Sequence, residues 1–382
     1  MKKILLIVPL TTLEWGTKNA GGVDSVCQML VRELASKITQ YRYRILAFDP
    51  TNQEPFTVQP IVLSEQVEVI FAPANESRMG LPLPSIVTGW LRVREQIVQY
   101  QPDIVHAHMN SWMIGLGSQT KNILTLHSYK KIGRKSVSFS NDFLYEKIVP
   151  LLSEFSSDIF TCVGGELKHF LSKDTKKSIR AIYNPIDFRY FSDSKRNQPR
   201  NTEGITLVTC ALISRRKRVD LILDLVREIK KTGRKVTLRV IGPNVDRIYF
   251  SELEKLIELW GLSDNVIFLG KLNQNQIIQQ YNNSDIGVFL SAQETFGLAP
   301  LEMLAAGLPL IATPVGILGE RQDEFAKLGV VFMKESEQAA VAQSIDQIKL
   351  ANTHAARTYL REQFAVENVV EHYQSLYREV LH

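Results

Sequence analysis

The stretch SAQETFGLAPLEMLAAGLPLIATPVGILGE, residues 291–320, decides the fold. Its first residues, Ser291 to Glu294, read as a loop, followed by the small, flexible Gly297. A helix over Leu298–Ala306 comes next and ends at Gly307-Leu308-Pro309. The apolar run Leu310–Thr313 then reads as a buried strand. Glu294 lies in the loop and Glu302 just over a turn inside the helix. Helical side chains lean toward the N-terminus, so Glu302 is expected to point back at the pocket that Glu294 borders. Between them, the N–H groups of Phe296, Gly297 and Leu298 open the helix, where unsatisfied donors and the positive end of the dipole favour an anion. Two hydroxyl-accepting carboxylates around a phosphate-sized anion hole suit a sugar, a diphosphate and a ribose. Spacing alone equally describes a surface Glu pair beside an ordinary strand-to-helix turn.

The surrounding residues narrow this choice. Glu294-Thr-Phe-Gly-Leu-Ala-Pro-Leu-Glu302, followed by Ala305-Ala306-Gly307-Leu308-Pro309, resembles the E-x7-E signature of retaining GT-B glycosyltransferases, especially glycosyltransferase family 4 (GT4). The resemblance implies that Glu294 contacts donor-sugar hydroxyls and Glu302 the nucleotide ribose. It also implies that the Phe296, Gly297 and Leu298 amides meet the diphosphate or sugar.

The chain has 382 residues, enough for two domains with full cores. A hydrophobic content of 45% and a charged content of 22% are ordinary for a globular protein. The net charge of +5 is compatible with an anionic substrate or membrane surface and requires neither. Cys27, Cys162 and Cys210 form no CxxC pair and no metal spacing, and read as small core residues of a reducing cytosol. Met1-Lys2-Lys3 before Ile4–Val8 is too short in its apolar run for a signal peptide and reads as a first buried strand. No apolar run approaches the ~20 residues of a transmembrane helix. The expected location is cytoplasmic, with peripheral contact at the inner face of the membrane as an option.

In the first half, strand Lys3–Val8 leads through a polar loop to Gly21-Gly22 and a helix over Val23–Ser36. This layout either lets the backbone approach a phosphate or makes a tight turn. The G-x-G-x-x-G fingerprint is absent, which argues against a dehydrogenase. The family resemblance places Gly22 on a loop facing the donor. Short apolar runs follow at Tyr43–Phe48, Val67–Ala72, Ile104–His106, Ile123–Leu126 and Ile159–Val163, with helices expected over Ile86–Tyr100 and Asp142–Ser156. Such alternation predicts a parallel, doubly wound sheet whose ligands bind at the carboxyl ends of its strands. His106 and His108 end one strand and read as packing residues. His127 ends the next, and matches the T-x-H strand end of the family, which implies contact with the transferred sugar; Ser128 stands where the family has Asp. An imidazole there serves either as a hydrogen-bond donor or in proton transfer. Residues 121–140 contain Lys121, Lys130, Lys131, Arg134 and Lys135 and no acid, either a solvated basic loop or a surface for an anionic acceptor or membrane. No nucleic-acid module is recognisable.

In the second half, Tyr183-Asn-Pro-Ile-Asp187 resembles the N-G-V-D turn that follows the first GT-B domain, and the polar Ser192–Gly204 stretch reads as a linker. Strands over Thr206–Leu212, Val236–Ile241, Val266–Leu269 and Ile286–Leu290 alternate with helices over Val219–Lys231, Tyr249–Trp260 and Gln274–Tyr281, a second Rossmann-like unit. Ser214-Arg-Arg-Lys-Arg218 is a plausible diphosphate clamp, and equally a solvated turn. The family has G-R-L-x-x-x-K-G here: Lys217 matches its lysine, Ala211 replaces its arginine, and either Arg216 or Arg215 must supply the second cation. Phe268-Leu269-Gly270 matches the F-L-G strand end, after which backbone around Leu272 reads the base. Val315-Gly316 to Glu320 resembles the closing G-G-x-x-E turn, with Ile317 replacing the second glycine. Phe364–Leu381 reads as an amphipathic terminal helix with Val369, Val370, Tyr373, Leu376, Tyr377 and Val380 on one face.

The expectation is an α/β chain of two facing Rossmann-like domains with an interdomain cleft, the GT-B fold. Residues 1–195 would form the acceptor-side domain and 196–360 the nucleotide-sugar domain, with the helix 361–382 returning to the first. The implied activity is retaining transfer of a sugar from a nucleotide diphosphate sugar, UDP first, to a hydroxyl of a glycan, lipid-linked or small-molecule acceptor. His127 and Glu294 would be catalytic; Gly22, Arg216, Lys217, Leu272, Phe296, Gly297, Leu298 and Glu302 would bind donor. No cofactor or metal is expected, since no Asp-x-Asp pair occurs. Two other readings are a non-enzymatic nucleotide-sugar-binding homologue and a GT-B sugar-nucleotide epimerase.

Overall fold

The structure, a computed structural model, describes residues 1–51, 56–57, 59–78, 81–128, 143–191 and 204–382. It divides into two compact units: Met1–Pro185 with Val366–His382, and Ile186–Ala365.

The first unit is built on strands β1 (Lys2–Pro9), β2 (Tyr41–Phe48), β3 (Ile61–Ser64), β4 (Val67–Ala72), β5 (Ser77–Arg78), β6 (Leu81–Pro82), β7 (Ile104–Ala107), β8 (Lys121–Leu126), β9 (Ile159–Cys162) and β10 (Ser178–Ala181). Eight of these make one sheet in the order β10-β9-β8-β7-β1-β2-β4-β3, while β5 and β6 pair with each other. Every neighbouring pair in the large sheet is parallel except the edge strand β3 on β4. Ile4 to Val8 are all buried, as expected of a strand covered on both faces. The helix Gly22–Ser36 packs on β1 and on the terminal helix Val366–Leu381.

The second unit carries β11 (Gly204–Cys210), β12 (Lys235–Ile241), β13 (Val266–Gly270), β14 (Ile286–Phe289), β15 (Leu310–Ala312) and β16 (Val331–Phe332), all parallel, in the order β13-β12-β11-β14-β15-β16. The helix Val219–Lys231 covers one face, burying Ile222, Leu223, Val226 and Ile229 against Leu207, Leu238 and Val288. Each such side chain contributes roughly 1.5–3 kcal/mol relative to exposure. In both sheets the strand order reverses beside the first strand, between β1 and β7 and between β11 and β14. Crevices for ligands open at the carboxyl ends of such switch points. The paired Rossmann-like α/β architecture read from the alternation of apolar runs is present.

Three local readings need correction. The terminal helix begins at Val366, and Phe364 closes a separate helix, His354–Phe364. The break comes at Ala365, which is extended and bridges Ile186, while the Phe364 carbonyl accepts the Ile186 N–H at 2.9 Å. The strand β10 was not foreseen, because Ser178-Ile-Arg-Ala181 is short and half polar. The expected helix over Asp142–Ser156 starts outside the described residues and is not uniform: Leu144–Ile148 is a π turn and Val149–Ser156 is α-helical. Val149 N–H donates to the Leu144 carbonyl, one residue further back than in an α-helix, just before Pro150, which has no N–H to give.

Candidate active site

In the second unit, β11 and β14 end side by side, and the loops that follow them are tied together. Ala292 N–H donates to the Arg216 carbonyl at 2.8 Å, and Thr313 Oγ1 holds the Ser291 carbonyl at 2.6 Å. Arg215–Lys217 is a short 3-10 turn that sends its three side chains to different places. Lys217 Nζ is ion-paired with Glu294 Oε1, which also accepts the Ser291 hydroxyl at 2.6 Å. Arg216 Nη1 donates to the Gln293 carbonyl at 3.0 Å and lies 3.7 Å from Glu294 Oε2. Arg215 turns away, pairing with Glu252 over the Tyr249 ring. Of the two arginines left open by the sequence, Arg216 is the one at the Glu294 loop. Burial pulls the Lys217 ammonium below the ordinary lysine value, and the Glu294 carboxylate opposes that shift.

The loop between the two glutamates is held by contacts that leave little freedom. Gly297 caps the helix Leu298–Ala305 with φ 91°, a left-handed value that favours glycine. Gly316, at φ +57°, presses so closely on this loop that a Cβ there would stand 2.3 Å from the Phe296 carbonyl. That carbonyl accepts the Ile317 N–H at 2.8 Å, and the buried Phe296 ring meets Phe364 edge-on. The amides of Gly297 and Leu298 thus open an eight-residue helix beside Lys217 and Glu294.

Glu302, on the same helix, has other partners. Tyr190 donates a hydrogen bond to its carboxyl. Desolvation raises that carboxyl to about 7, and the nearby charge of Asp187 adds to the effect. Asp187 is clamped by Arg189, which also donates from Nη2 to Gln274 Oε1 at 2.6 Å. Gln274 is placed by a capping box in which Asn273 and Gln276 exchange backbone-to-side-chain bonds at 3.0 and 2.9 Å. Asp187, Arg189 and Tyr190 were not singled out as site residues, although Asp187 stands in a turn that the sequence marked. Leu272 is half-buried two residues beyond β13, where the Gly270 carbonyl accepts the Gly242 N–H at 2.8 Å. Ala211 lies under that same turn: a Cβ on Gly242 would come within 1.9 Å of its carbonyl oxygen.

Gly22 and His127 belong to the first unit, where they line one cavity of about 890 Å³ that also reaches Asp24, His108, Tyr145 and Leu171. Asp24, which the sequence reading passed over, organises the glycine loop. Its buried carboxylate accepts Thr11 N–H at 2.9 Å, Thr11 Oγ1 at 2.8 Å and Ala20 N–H at 2.7 Å. An acid in the first turn of a helix after Gly-Gly was the available signal. His127 is half-buried, stacks on His108, and has its Nε2 2.9 Å from His108 Nδ1. Burial depresses both, His127 to about 4, so the rings are neutral at physiological pH. Of the five cations in 121–140, only Lys121 lies among the described residues; Lys130, Lys131, Arg134 and Lys135 lie outside them. Among the described residues, no helix is long and apolar enough to cross a membrane.

Known proteins resemble the chain along most of its length. Residues 20–190 match the model of Glycosyltransferase Family 4, and residues 191–363 match that of Glycosyl transferases group 1. The N-acetyl-alpha-D-glucosaminyl L-malate synthase of Bacillus anthracis is 28% identical over 294 residues, 73% of each chain. Sucrose-phosphate synthase from Thermosynechococcus elongatus superposes with a TM-score of 0.75 at 16% identity, over 100% of this chain and 99% of its own. HepE of Anabaena, solved in complex with UDP and glucose, gives a TM-score of 0.69 at 15% identity over 99% of this chain and 100% of its own. The chain belongs to the glycosyltransferases of family 4, with the GT-B fold.

Proposed function

We propose that this glycosyltransferase moves a hexose from a nucleotide diphosphate sugar, a UDP-sugar first, to a hydroxyl of a glycan, lipid-linked or small-molecule acceptor, with retention and without a metal. The observation that carries the reading is the placement of Lys217 and Arg216 on the Glu294 loop at the start of the helix Leu298–Ala305. Two cations and a helix N-terminus supply charge for a departing nucleoside diphosphate. Glu294 positions sugar hydroxyls as a hydrogen-bond acceptor; its pairing with Lys217 and Ser291 fits that role better than attack on carbon. The Phe296, Gly297 and Leu298 amides meet diphosphate or sugar, Glu302 takes the ribose hydroxyls, and backbone near Leu272 reads the base. Gly22 and His127, in the first unit, carry the sugar-side roles that the family resemblance implies.

In the reaction, the bond from the anomeric carbon to the phosphate oxygen breaks, and the acceptor oxygen bonds to the same face. The acceptor proton passes to the departing phosphate oxygen. UDP is the first donor base to test because HepE, a structural neighbour, binds UDP. A cytoplasmic enzyme that touches an anionic membrane through residues 121–140 belongs to the same proposal. Phe143, Leu151 and Phe155, exposed on the chain that follows that segment in sequence, support it.

The test is incubation of the full chain with UDP-, GDP- and ADP-sugars in the presence of EDTA, with and without hydroxyl acceptors. Nucleotide release with an α-linked product from an α-linked donor is expected, read by anomeric NMR. Nucleotide binding without release would leave a non-catalytic binding protein, and a new sugar formed from donor alone would make it an epimerase.

A further inference from the structure

A chain of hydrogen bonds inside the second unit ends on Glu302. It starts at the buried Asp187 carboxylate, which accepts Arg189 Nε on Oδ1 at 3.0 Å and Arg189 Nη2 on Oδ2 at 2.7 Å. The same Nη2 donates to Gln274 Oε1 at 2.6 Å. The Gln274 side chain is hydrogen-bonded to the Tyr190 hydroxyl, and that hydroxyl donates to the Glu302 carboxyl. Gln274 and Tyr190 are buried, while Glu302 is half-buried. Three separate elements supply the chain: the 3-10 turn Phe188–Phe191, the first residue of the helix Gln274–Asn282, and the helix Leu298–Ala305.

Each link has one direction. A guanidinium only donates, so the end of Gln274 that meets Arg189 is its oxygen, and its NH₂ is left for Tyr190. That NH₂ only donates, so the Tyr190 oxygen accepts there, and the single phenolic proton is left for Glu302. A donor aimed in this way engages one carboxylate oxygen and leaves the lone pairs of the other for a ligand. It also favours the ionised carboxylate, against the burial and the Asp187 charge that hold this group at about 7. The other groups around Glu302 are Tyr281, on the helix of Gln274, and Cys210, at the end of β11; burial keeps both protonated at physiological pH. Arg357, on the helix His354–Phe364, donates from Nε to the Ala305 carbonyl at 3.0 Å, at the far end of the Glu302 helix.

We propose that Tyr190 is a positioning residue for Glu302: its hydroxyl, aimed by Gln274 and Arg189, holds the carboxylate in the orientation that accepts the hydroxyls of a donor ribose. The ribose consequence rests on the role given to Glu302 above; the grip of Tyr190 on Glu302 is a property of the free protein. Removing the phenolic hydroxyl takes a hydrogen bond from the ionised form alone, so Glu302 should then keep its proton to higher pH.

The test is carboxyl ¹³C titration of the full chain with labelled glutamate, together with calorimetric binding of UDP. The Glu302 signal is the one missing from Glu302→Gln. In Tyr190→Phe its midpoint should rise by about one pH unit. Gln274→Met, which keeps the hydroxyl but removes what aims it, should move the midpoint the same way by less. UDP affinity of Tyr190→Phe at pH 7 should fall about fivefold, the loss of ionised fraction that such a rise produces. The deficit should shrink toward pH 9, and be absent both in a Glu302→Gln background and for the 2′,3′-dideoxy form of UDP. An unmoved midpoint in Tyr190→Phe overturns the proposal, and so does an equal loss of affinity with Glu302→Gln already in place, which would make Tyr190 a packing residue. If the wild type binds no nucleotide, or binds dideoxy-UDP as tightly as UDP, the ribose role of Glu302 fails, while the carboxyl midpoint still decides whether Tyr190 holds Glu302.

Discussion

Lys217 Nζ and Glu294 Oε1 form an ion pair whose side chains are only 11% and 10% exposed. It joins the turn after β11 to the loop after β14. The lysine assigned to the diphosphate is thus held by the carboxylate assigned to the sugar. Each residue presets the other before a donor arrives.

Removing the lysine leaves that carboxylate short of a partner. Lys217→Met is expected to lose about 2 kcal/mol of stability, since charged hydrogen bonds are worth about 1.5–3 kcal/mol. Urea denaturation checks this. Nucleotide affinity measured by calorimetry should fall at least tenfold. The double variant with Glu294→Gln should recover much of the stability and none of the affinity. Equal stability of the single variant and wild type would show that the pair is dispensable.

Glu302 sets a pH dependence with a definite sign. Its folded value of about 7 lies above the ordinary carboxyl value, so the folded state keeps a proton that the unfolded chain has released. This group therefore favours folding below the ordinary carboxyl range, and loses that contribution as pH rises toward 7. A ribose diol donates to the ionised form, so nucleotide binding should tighten from pH 6 to pH 8 and release a proton near pH 7. Calorimetry in buffers of different ionisation enthalpy reads that proton, and Glu302→Gln should abolish it.

His106 works in the opposite direction in the first unit. Burial holds its imidazole at about 3, so as pH falls below 6.5 the unfolded chain gains a proton that the folded chain refuses. Stability from this residue is full above pH 6.5 and declines below it, by about 2 kcal/mol at pH 5 for a single group. Trp112, stacked on Phe48, reports this unit, and Trp260 packs on the core of the other. Acid titration of denaturation curves should show the Trp112 signal weakening first. His106→Gln should reduce the difference without removing it, because burial depresses His108 and His127 in the same unit.

The two glycines of the Glu294 loop should respond unequally to a methyl group. Gly297→Ala meets nothing nearer than 3.6 Å and bears only the strain of its positive φ, about 1–2 kcal/mol. Gly316→Ala places a carbon 2.3 Å from the Phe296 carbonyl, so the loop must move. Gly316→Ala should therefore lower nucleotide affinity more than Gly297→Ala, each measured at matched folded fraction.

The apolar runs named both sheets, because a strand buried on two faces must be apolar throughout, as Ile4–Val8 and Leu310–Ala312 are. Glycines and prolines placed the turns, and a long local motif around Glu294 and Glu302 named the family. These are one-dimensional signals, so the chain alone determined them. It did not determine which arginine of the Arg215-Arg216 pair serves the site, because both sit on one short turn and only Glu252 and Gln293, brought in from elsewhere, separate them. Nor did it show Asp24 under the glycine loop, Tyr190 on Glu302, or His108 behind His127. The last two are contacts between residues well separated in the chain, and the first folds a loop back onto Thr11 and Ala20. Hydrogen bonds at 2.5–3.2 Å and the desolvation that shifts a carboxyl or an imidazole depend on such neighbours, and neighbours of that kind exist only once the sheets have closed.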